Sequence, residues 1–373
     1  MKKSVQNIAF LLPHIVMGGV EKVLLEILTE MQKQRPDLNI VVYSRKIVTD
    51  KYFIQFFKDN HIMLKDKWFL IKPHKFLPSV LYKIKNPIHK LFNHNKLRKD
   101  IIRDKYDVLI DFQFFNFAKI IHNMPVPKIT WVHGSISHFN LHCAPILQYI
   151  PDYDKIICLS HSFENDFKEQ YPEYADKITC IYNSINAQNI RAKAKTDKSN
   201  GKYFCIVSRL DKEKDNETVI NAFKIFSKNH PDAKLLIAGN GALSEKLHEM
   251  ARDCPQIKFL GQIDEPYTLI KNSIAHILSS TSEGLGMVLL EAAALGTLSI
   301  SSRCKSGPPE ILMDGRAGIL FTPGNQYELA QIMNDVWTGK IDTKKLIKTA
   351  TDNLNRFSAK NNVKQIFNLI ENI

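Results

Sequence analysis

The sequence predicts an α/β protein built of two doubly wound parallel-sheet domains. Three observations predict it. Short apolar runs alternate with stretches whose apolar residues recur at helical spacing, which implies parallel strands joined by right-handed helical crossovers. The alternation occurs twice, on either side of a polar, lysine-rich segment at 191–202 that reads as a linker. Glycine turns stand where strands hand over to helices, at Gly18-Gly19, at Gly239-Asn240-Gly241 and at Gly284-Leu285-Gly286. Such turns carry the ligands of doubly wound folds. A chain of 373 residues is also long for a single core. The expected division is 1–190, a linker at 191–202, a second domain at 203–354, and a terminal helix over 355–373.

The first half opens on an apolar run at 7–12, a short buried strand, and a loop from Pro13 to Gly19. Val20, Val23, Leu24, Ile27 and Leu28 then fall on one helix face. Further strands are expected at 39–43, 106–111, 128–132, 155–159 and 178–182. The second half begins with a strand at 203–207 and a helix at 217–226. A strand at 233–238, a helix from Leu243 and a strand at 257–260 follow. The run 274–279 reads as a buried strand and 287–295 as the helix after it. A strand at 297–301 comes next, and Gly307-Pro308-Pro309-Glu310 opens a short helix with its prolines in the first turn.

Composition fits a soluble globular protein, with 44% hydrophobic and 24% charged residues. Met1-Lys2-Lys3 begins like a secretory leader, but Pro13, His14 and the charges after Gly19 break the apolar run. No run of eighteen apolar residues is present to span a membrane. The six cysteines are scattered, with no Cys-x-x-Cys pair, and read as reduced core residues of a reducing, cytoplasmic compartment. Net charge is +13 and uneven: residues 1–200 carry 30 Lys/Arg against 19 Asp/Glu, residues 201–373 carry 21 against 19. A basic half implies an anionic partner. Between Lys65 and Lys105, the cations Lys72, Lys75, Lys83, Lys85, Lys90, Lys96, Arg98 and Lys99 alternate with aromatic and aliphatic residues such as Trp68, Phe76 and Tyr82. That pattern suits an amphipathic element on the anionic inner face of a membrane. It equally suits an ordinary helix with one solvated face.

The chemistry concentrates in Ser279-Ser280-Thr281-Ser282-Glu283-Gly284-Leu285-Gly286-Met287-Val288-Leu289-Leu290-Glu291. Small residues let a ligand approach the backbone, and the first free amides of the following helix favour an anion, usually phosphate. Two carboxylates, Glu283 and Glu291, accompany this anion site. A ligand that also offers hydroxyls, a ribose or a hexose, gives them a role; a surface glutamate and a helix-start charge are the plain alternative. Arg209 and Lys214 follow the first strand of the second half and suit a diphosphate, Arg as a bidentate donor and Lys as a point charge. Taken alone they read as a charged loop, since Asp211, Lys212 and Glu213 surround them. His133 ends a strand before Gly134, a position where a structural histidine is common. If it lines a cleft, it can donate to a sugar hydroxyl. Asp152-Tyr153-Asp154 precedes a strand rather than ending one and reads as a surface turn. The histidines show no metal-ligand spacing, and neither a nucleoside-triphosphate loop nor a nucleophile elbow is present.

With these pieces in place, the chain resembles the retaining glycosyltransferases of family 4 (group 1), and most strongly over 203–321. The residues that carry the resemblance are Gly18-Gly19 with Glu21, the run 181–186, Ser208-Arg209-Leu210 with Lys214, Gly239 and Gly241, the two-glutamate stretch 282–292, and Ser306-Gly307-Pro308-Pro309-Glu310. The resemblance implies a GT-B fold, with two Rossmann-like domains facing a cleft and the C-terminal helix crossing back to the first. It implies that Glu283 contacts the donor sugar and Glu291 the ribose. Arg209 and Lys214 would hold the diphosphate, assisted by the loop Gly284-Leu285-Gly286, the amides of Gly286, Met287 and Val288, and the turn at Gly239. Gly18 and Gly19 would approach from the first domain, and His133 matches the active-site histidine. Asp215 stands where many members have Gly or Asn. The implied reaction moves a hexose or N-acetylhexosamine from a nucleotide diphosphate sugar, UDP before GDP or ADP, to a surface-polysaccharide, lipopolysaccharide or lipid-linked acceptor, without metal or other cofactor. A sugar-nucleotide epimerase or a phosphorylase is the alternative within this fold. A basic nucleic-acid-binding protein is the alternative of another class, for which no recognition motif is found.

Overall fold

The computed structural model describes residues 5–16, 18–66, 94–134, 136, 139–140, 144–197 and 201–373. Two parallel sheets organise them. The first contains β1 (Asn7–Leu12), β2 (Asn39–Ser44), β3 (Met63–Lys65), β4 (Val108–Asp111), β5 (Lys128–Val132), β6 (Lys155–Cys158) and β7 (Ile178–Cys180). Their order is β3-β2-β1-β4-β5-β6-β7. The second contains β8 (Tyr203–Val207), β9 (Lys234–Ala238), β10 (Ile257–Gly261), β11 (Ala275–Leu278), β12 (Leu298–Ser302) and β13 (Ile319–Phe321), in the order β10-β9-β8-β11-β12-β13. The chain divides into one compact unit of Met1–Leu159, Glu164–Ile181 and Asn362–Ile373, and a second of Ser160–Phe163 and Tyr182–Asn361. Most of the terminal helix Ala359–Glu371 therefore belongs to the first unit.

The strands form where they do because helices cover both faces of a parallel sheet, so each strand must be apolar along its length. Ile8 to Leu12 of β1 are wholly buried, and the helix Gly19–Gln34 turns Val23, Leu24, Ile27, Leu28 and Met31 inward. In the second unit, Phe204, Ile206 and Ile277 pack on one face of the sheet and Cys205, Leu236 and Ala292 on the other. Each sheet reverses its direction of winding at one strand. In the first sheet β1 has β2 on one side and β4 on the other; in the second, β8 lies between β9 and β11. Loops leaving the carboxyl ends at such a reversal part from each other and leave a crevice for a ligand.

Some expectations change. The segment expected as a linker begins inside a helix, Ala187–Lys193, started by Asn186, whose side chain accepts from the Asn189 amide at 2.9 Å. Its polar composition hid it, because only Ile190 is buried on it. The basic stretch lies mostly at 67–93, outside the described residues. Of its cations, Lys96, Arg98 and Lys99 are described, on a helix over 94–104, and Arg98 donates to the carbonyls of Ile120 and His122 at 2.8 and 2.6 Å. Among the described residues no helix is long and apolar enough to cross a membrane. The described cysteines Cys158, Cys180, Cys205, Cys254 and Cys304 are buried and form no disulfide among the described residues.

Candidate active site

The loops after β8 and β11 meet at the reversal point of the second sheet. Lys214 ends a single helical turn, Lys212–Lys214, in the first loop. Glu283 sits in the second. The Lys214 Nζ donates to Glu283 Oε1 at 2.6 Å, and Ser280 Oγ donates to the same oxygen at 2.6 Å. Both members of the pair are largely buried, with side chains 17% and 11% exposed. The backbone fixes both loops. Ser279 Oγ donates to the Lys214 carbonyl at 2.8 Å, the Thr281 amide to the Glu213 carbonyl at 2.8 Å, and Ser306 Oγ to the Glu283 carbonyl at 2.7 Å. A loop held from three sides keeps its carboxylate in one place.

Lys214 can reach Glu283 because the chain reverses at Asp215, which adopts a left-handed backbone with φ +44°. Gly and Asn take that conformation most readily, and Asp is the next tolerated residue. Thr218 Oγ1 donates to Asp215 Oδ2 at 2.7 Å and holds it there.

The helix Met287–Leu295 begins directly after this loop, from Gly286 at φ +94°. Asp50, Asn186, Asn325 and Asp342 cap their helices with a side-chain oxygen; no side chain caps this one. Its first amides therefore remain directed at the loop, with the positive end of the helix dipole behind them. Gly284 precedes the buried Leu285, whose carbonyl lies 2.5 Å from where a Cβ on Gly307 would stand. Met287 and Val288 form the first turn, and Glu291 lies half-buried further along the same helix.

Four other predicted residues are placed differently. Arg209 does not join the Lys214–Glu283 pair: its side chain is 68% exposed and bonds to Asp211 at 2.5 Å. The reach of an arginine cannot be read from its position beyond a strand. Gly239, at φ +142°, packs against the Ser208 carbonyl at the base of the Arg209 loop. His133 belongs to the first unit, where its ring lies 4.8 Å from Phe112 and 5.9 Å from Trp131. Both its nitrogens are buried with no hydrogen-bond partner, and burial pushes its pKa down to about 3. It is a neutral imidazole in an aromatic wall. Gly18 starts the helix Gly19–Gln34. A Cβ there would lie 2.7 Å from Oε2 of Glu21, so the buried Glu21 carboxylate covers Gly18, its pKa raised by burial. Sequence reasoning used Glu21 as a marker and missed that its carboxylate occupies the turn. Asp152 accepts from the Asn123 amide at 3.3 Å and Asp154 from the Lys128 amide at 2.8 Å, which makes both structural.

Residues 188–353 match the family model of glycosyl transferases group 1, and residues 17–189 that of glycosyltransferase family 4. The chain belongs to the group 1 glycosyltransferases. An uncharacterized glycosyltransferase of Methanocaldococcus jannaschii is 32% identical over 148 residues, 35% of this chain and 36% of that one, so the match spans about a third of that relative. The lipopolysaccharide 1,6-galactosyltransferase of Salmonella typhimurium is 24% identical over 87% of each chain. The structure of Anabaena HepE in complex with UDP-glucose superimposes with a TM-score of 0.77 at 20% identity, covering 98% of this chain and all of that one. That likeness shows the fold, which is GT-B.

The glycosyltransferase also buries His276 in β11 with neither ring nitrogen bonded, its pKa pushed down to about 3 by burial. Above pH 6.5, its ordinary value, folded and unfolded chains both hold it neutral. Below that value the unfolded chain takes up a proton that the folded chain refuses down to about pH 3. Stability therefore falls as pH drops through this window, by about 1.4 kcal/mol per pH unit. His133 acts in the same sense in the first unit. There Asp111, buried and raised to about 7, opposes it, because the folded chain holds its proton longer than the unfolded one. His276→Leu is expected to flatten the acid side of the stability profile of the second unit. Urea unfolding at a series of pH values checks this, and an unchanged slope refutes it.

Proposed function

We propose that the chain transfers a hexose or N-acetylhexosamine from a nucleotide diphosphate sugar, with UDP as the nucleotide, to a surface-glycan or lipid-linked acceptor, with retention at the anomeric carbon. The observation that carries the donor half is the Lys214–Glu283 pair set beneath an uncapped helix start. The pair keeps each member oriented until a donor arrives. A diphosphate then competes for Lys214, and sugar hydroxyls compete for Glu283. As the bond from C1 to the phosphate oxygen breaks, its electron pair leaves with the nucleotide. Lys214 and the amides after Gly286 stabilise that charge where it forms. The acceptor hydroxyl bonds to C1 and gives its proton to the departing phosphate oxygen. The exposed Arg209 would swing from Asp211 to the diphosphate. Glu291 would take the ribose, and His133 would offer a neutral donor to the sugar once its buried ring nitrogens turn outward. No step in this reading calls for a metal.

The complex of Anabaena HepE with UDP-glucose and the lipopolysaccharide galactosyltransferase of Salmonella support this reading of donor and acceptor class. Calorimetric titration with UDP, GDP and ADP, without added metal, tests it. One nucleotide is expected to bind at micromolar affinity, and Arg209→Ala to weaken it about tenfold, the value of one charge-assisted hydrogen bond. Absence of binding by all three to folded protein would remove the donor site.

A further inference from the structure

The reversal point of the first sheet carries a second cluster that the donor site does not use. β1 pairs with β2 up to Leu12 opposite Ser44, and the Arg45 amide then donates to the Leu12 carbonyl at 3.1 Å. This register lays the loop after β1, which carries His14, alongside the loop after β2, which carries Arg45 and Lys46. Ser44 Oγ donates to the Lys46 carbonyl at 2.7 Å and pins that loop. The Arg45 Nη2 reaches the Asn116 carbonyl and Oδ1, at 3.3 and 3.5 Å, in the loop after β4. Its guanidinium stands 5.1 Å from the centre of the Phe117 ring. Arg45 thus bridges the loops on both sides of the reversal, where doubly wound sheets place their ligands.

Among the described residues neither Arg45 nor Lys46 forms an ion pair. Burial, then Lys46 and Arg45, hold His14 below its ordinary pKa, so these groups sense one another. The carboxylates of the adjoining elements are engaged elsewhere: Asp66 accepts from the Val48 amide at 2.9 Å, and Asp111, which Arg45 senses, is buried. Asp111 accepts from the Phe117 amide at 2.8 Å and the Tyr153 hydroxyl at 2.9 Å, and Glu21 lies over Gly18. On either side stand large exposed apolar residues, Val16 at 54% and Ile47 at 44% exposure. Cations at a ligand-binding edge, flanked by exposed apolar side chains, fit an anion carried on an apolar body.

We propose that His14, Arg45 and Lys46 bind the phosphate group of the acceptor, and that Val16 and Ile47 receive the lipid chain bonded to it. The proposal rests on the glycosyltransferase reading above and names its acceptor class, a lipid-linked phosphate. It is tested with the whole protein, phosphatidylcholine nanodiscs with and without a polyprenyl monophosphate, galactose 1-phosphate as the soluble arm, and UDP as control. Wild type is expected to bind the phosphate-bearing discs and not the plain ones. Lys46→Glu, at an exposed position that leaves folding untouched, should weaken this about tenfold, one charge-assisted contact, and His14→Ala with Lys46→Glu more. UDP binding should stay unchanged in both. Ile47→Ser should weaken the discs but not galactose 1-phosphate. Equal binding of phosphate discs by wild type and Lys46→Glu would overturn the site, and so would galactose 1-phosphate binding as tightly as the discs. Loss of UDP binding in Lys46→Glu would reassign the cluster to the donor. Wild type that binds UDP but not the phosphate discs refutes this inference alone; failure to bind any nucleotide refutes the donor reading instead.

Discussion

Lys214→Ala is expected to lower kcat with a nucleotide sugar by about a hundredfold to a thousandfold, the usual loss when one group that stabilises departing charge is removed. The reasoning starts from the pair itself. Lys214 is held at 2.6 Å from Glu283 in a largely buried place, so its ammonium is already oriented and desolvated before the donor binds. An oriented, partly desolvated charge stabilises a developing anion more than a mobile surface lysine does. The substitution also strands Glu283, whose Oε1 keeps only the Ser280 hydroxyl at 2.6 Å. Some stability will be lost, and the double variant Lys214→Ala, Glu283→Gln should recover part of it by removing the unpaired charge. Activity should not recover with it. Glu283→Gln alone keeps the size and one acceptor oxygen, and should raise KM for the sugar while leaving UDP affinity nearly intact. Steady-state kinetics and UDP calorimetry on the three variants separate these effects. A Lys214→Ala enzyme within a few-fold of wild type in kcat would show that the pair is structural, and the donor site would then have to be sought elsewhere.

That pair shows where the sequence stops being readable. The strands were legible because burial on both faces leaves a continuous apolar run, as in β1, β8 and β11. The loop 279–286 was legible because serines, threonine and glycines between such a run and a helix have few other uses. The partnership of Lys214 with Glu283 spans 69 positions, and which of two nearby cations would take it is decided by a left-handed turn at Asp215. Arg209, the more attractive residue for a diphosphate on chemistry alone, bonds to Asp211 instead. β3 escaped notice because it has three residues and no buried one. The helix at 187–193 escaped because one buried isoleucine gives no period. From the sequence His133 ends a strand, a place where a structural histidine is common; Phe112 and Trp131, which lie against its ring, give no sign of it in the sequence. The cation cluster of the first sheet went unremarked for the same reason: the loops that carry His14 and Lys46 are laid alongside each other only by the β1–β2 register.

Gly239→Ala is expected to cost the second unit about 3–5 kcal/mol, from overpacking and from a backbone angle that a Cβ opposes. A Cβ on Gly239 would stand 1.8 Å from the Ser208 carbonyl oxygen, a backbone atom with no rotamer to escape through. The Ser208 amide donates to the Ala238 carbonyl at 3.1 Å and the Gly239 amide to the Gly261 carbonyl at 2.7 Å, so neither chain is free to retreat. Gly296→Ala is the control. Gly296 also has a left-handed backbone, φ +71°, but nothing lies within 4 Å of its Cβ position, and its cost should be about 1–2 kcal/mol. The difference between the two variants in thermal or urea unfolding measures the close approach of the backbones alone. That approach sets where the chain leaves β8, and hence where the Arg209 loop begins. If the two alanines cost the same, the backbones are further apart than 1.8 Å implies, and the path of the Arg209 loop must be drawn again from β8 onward.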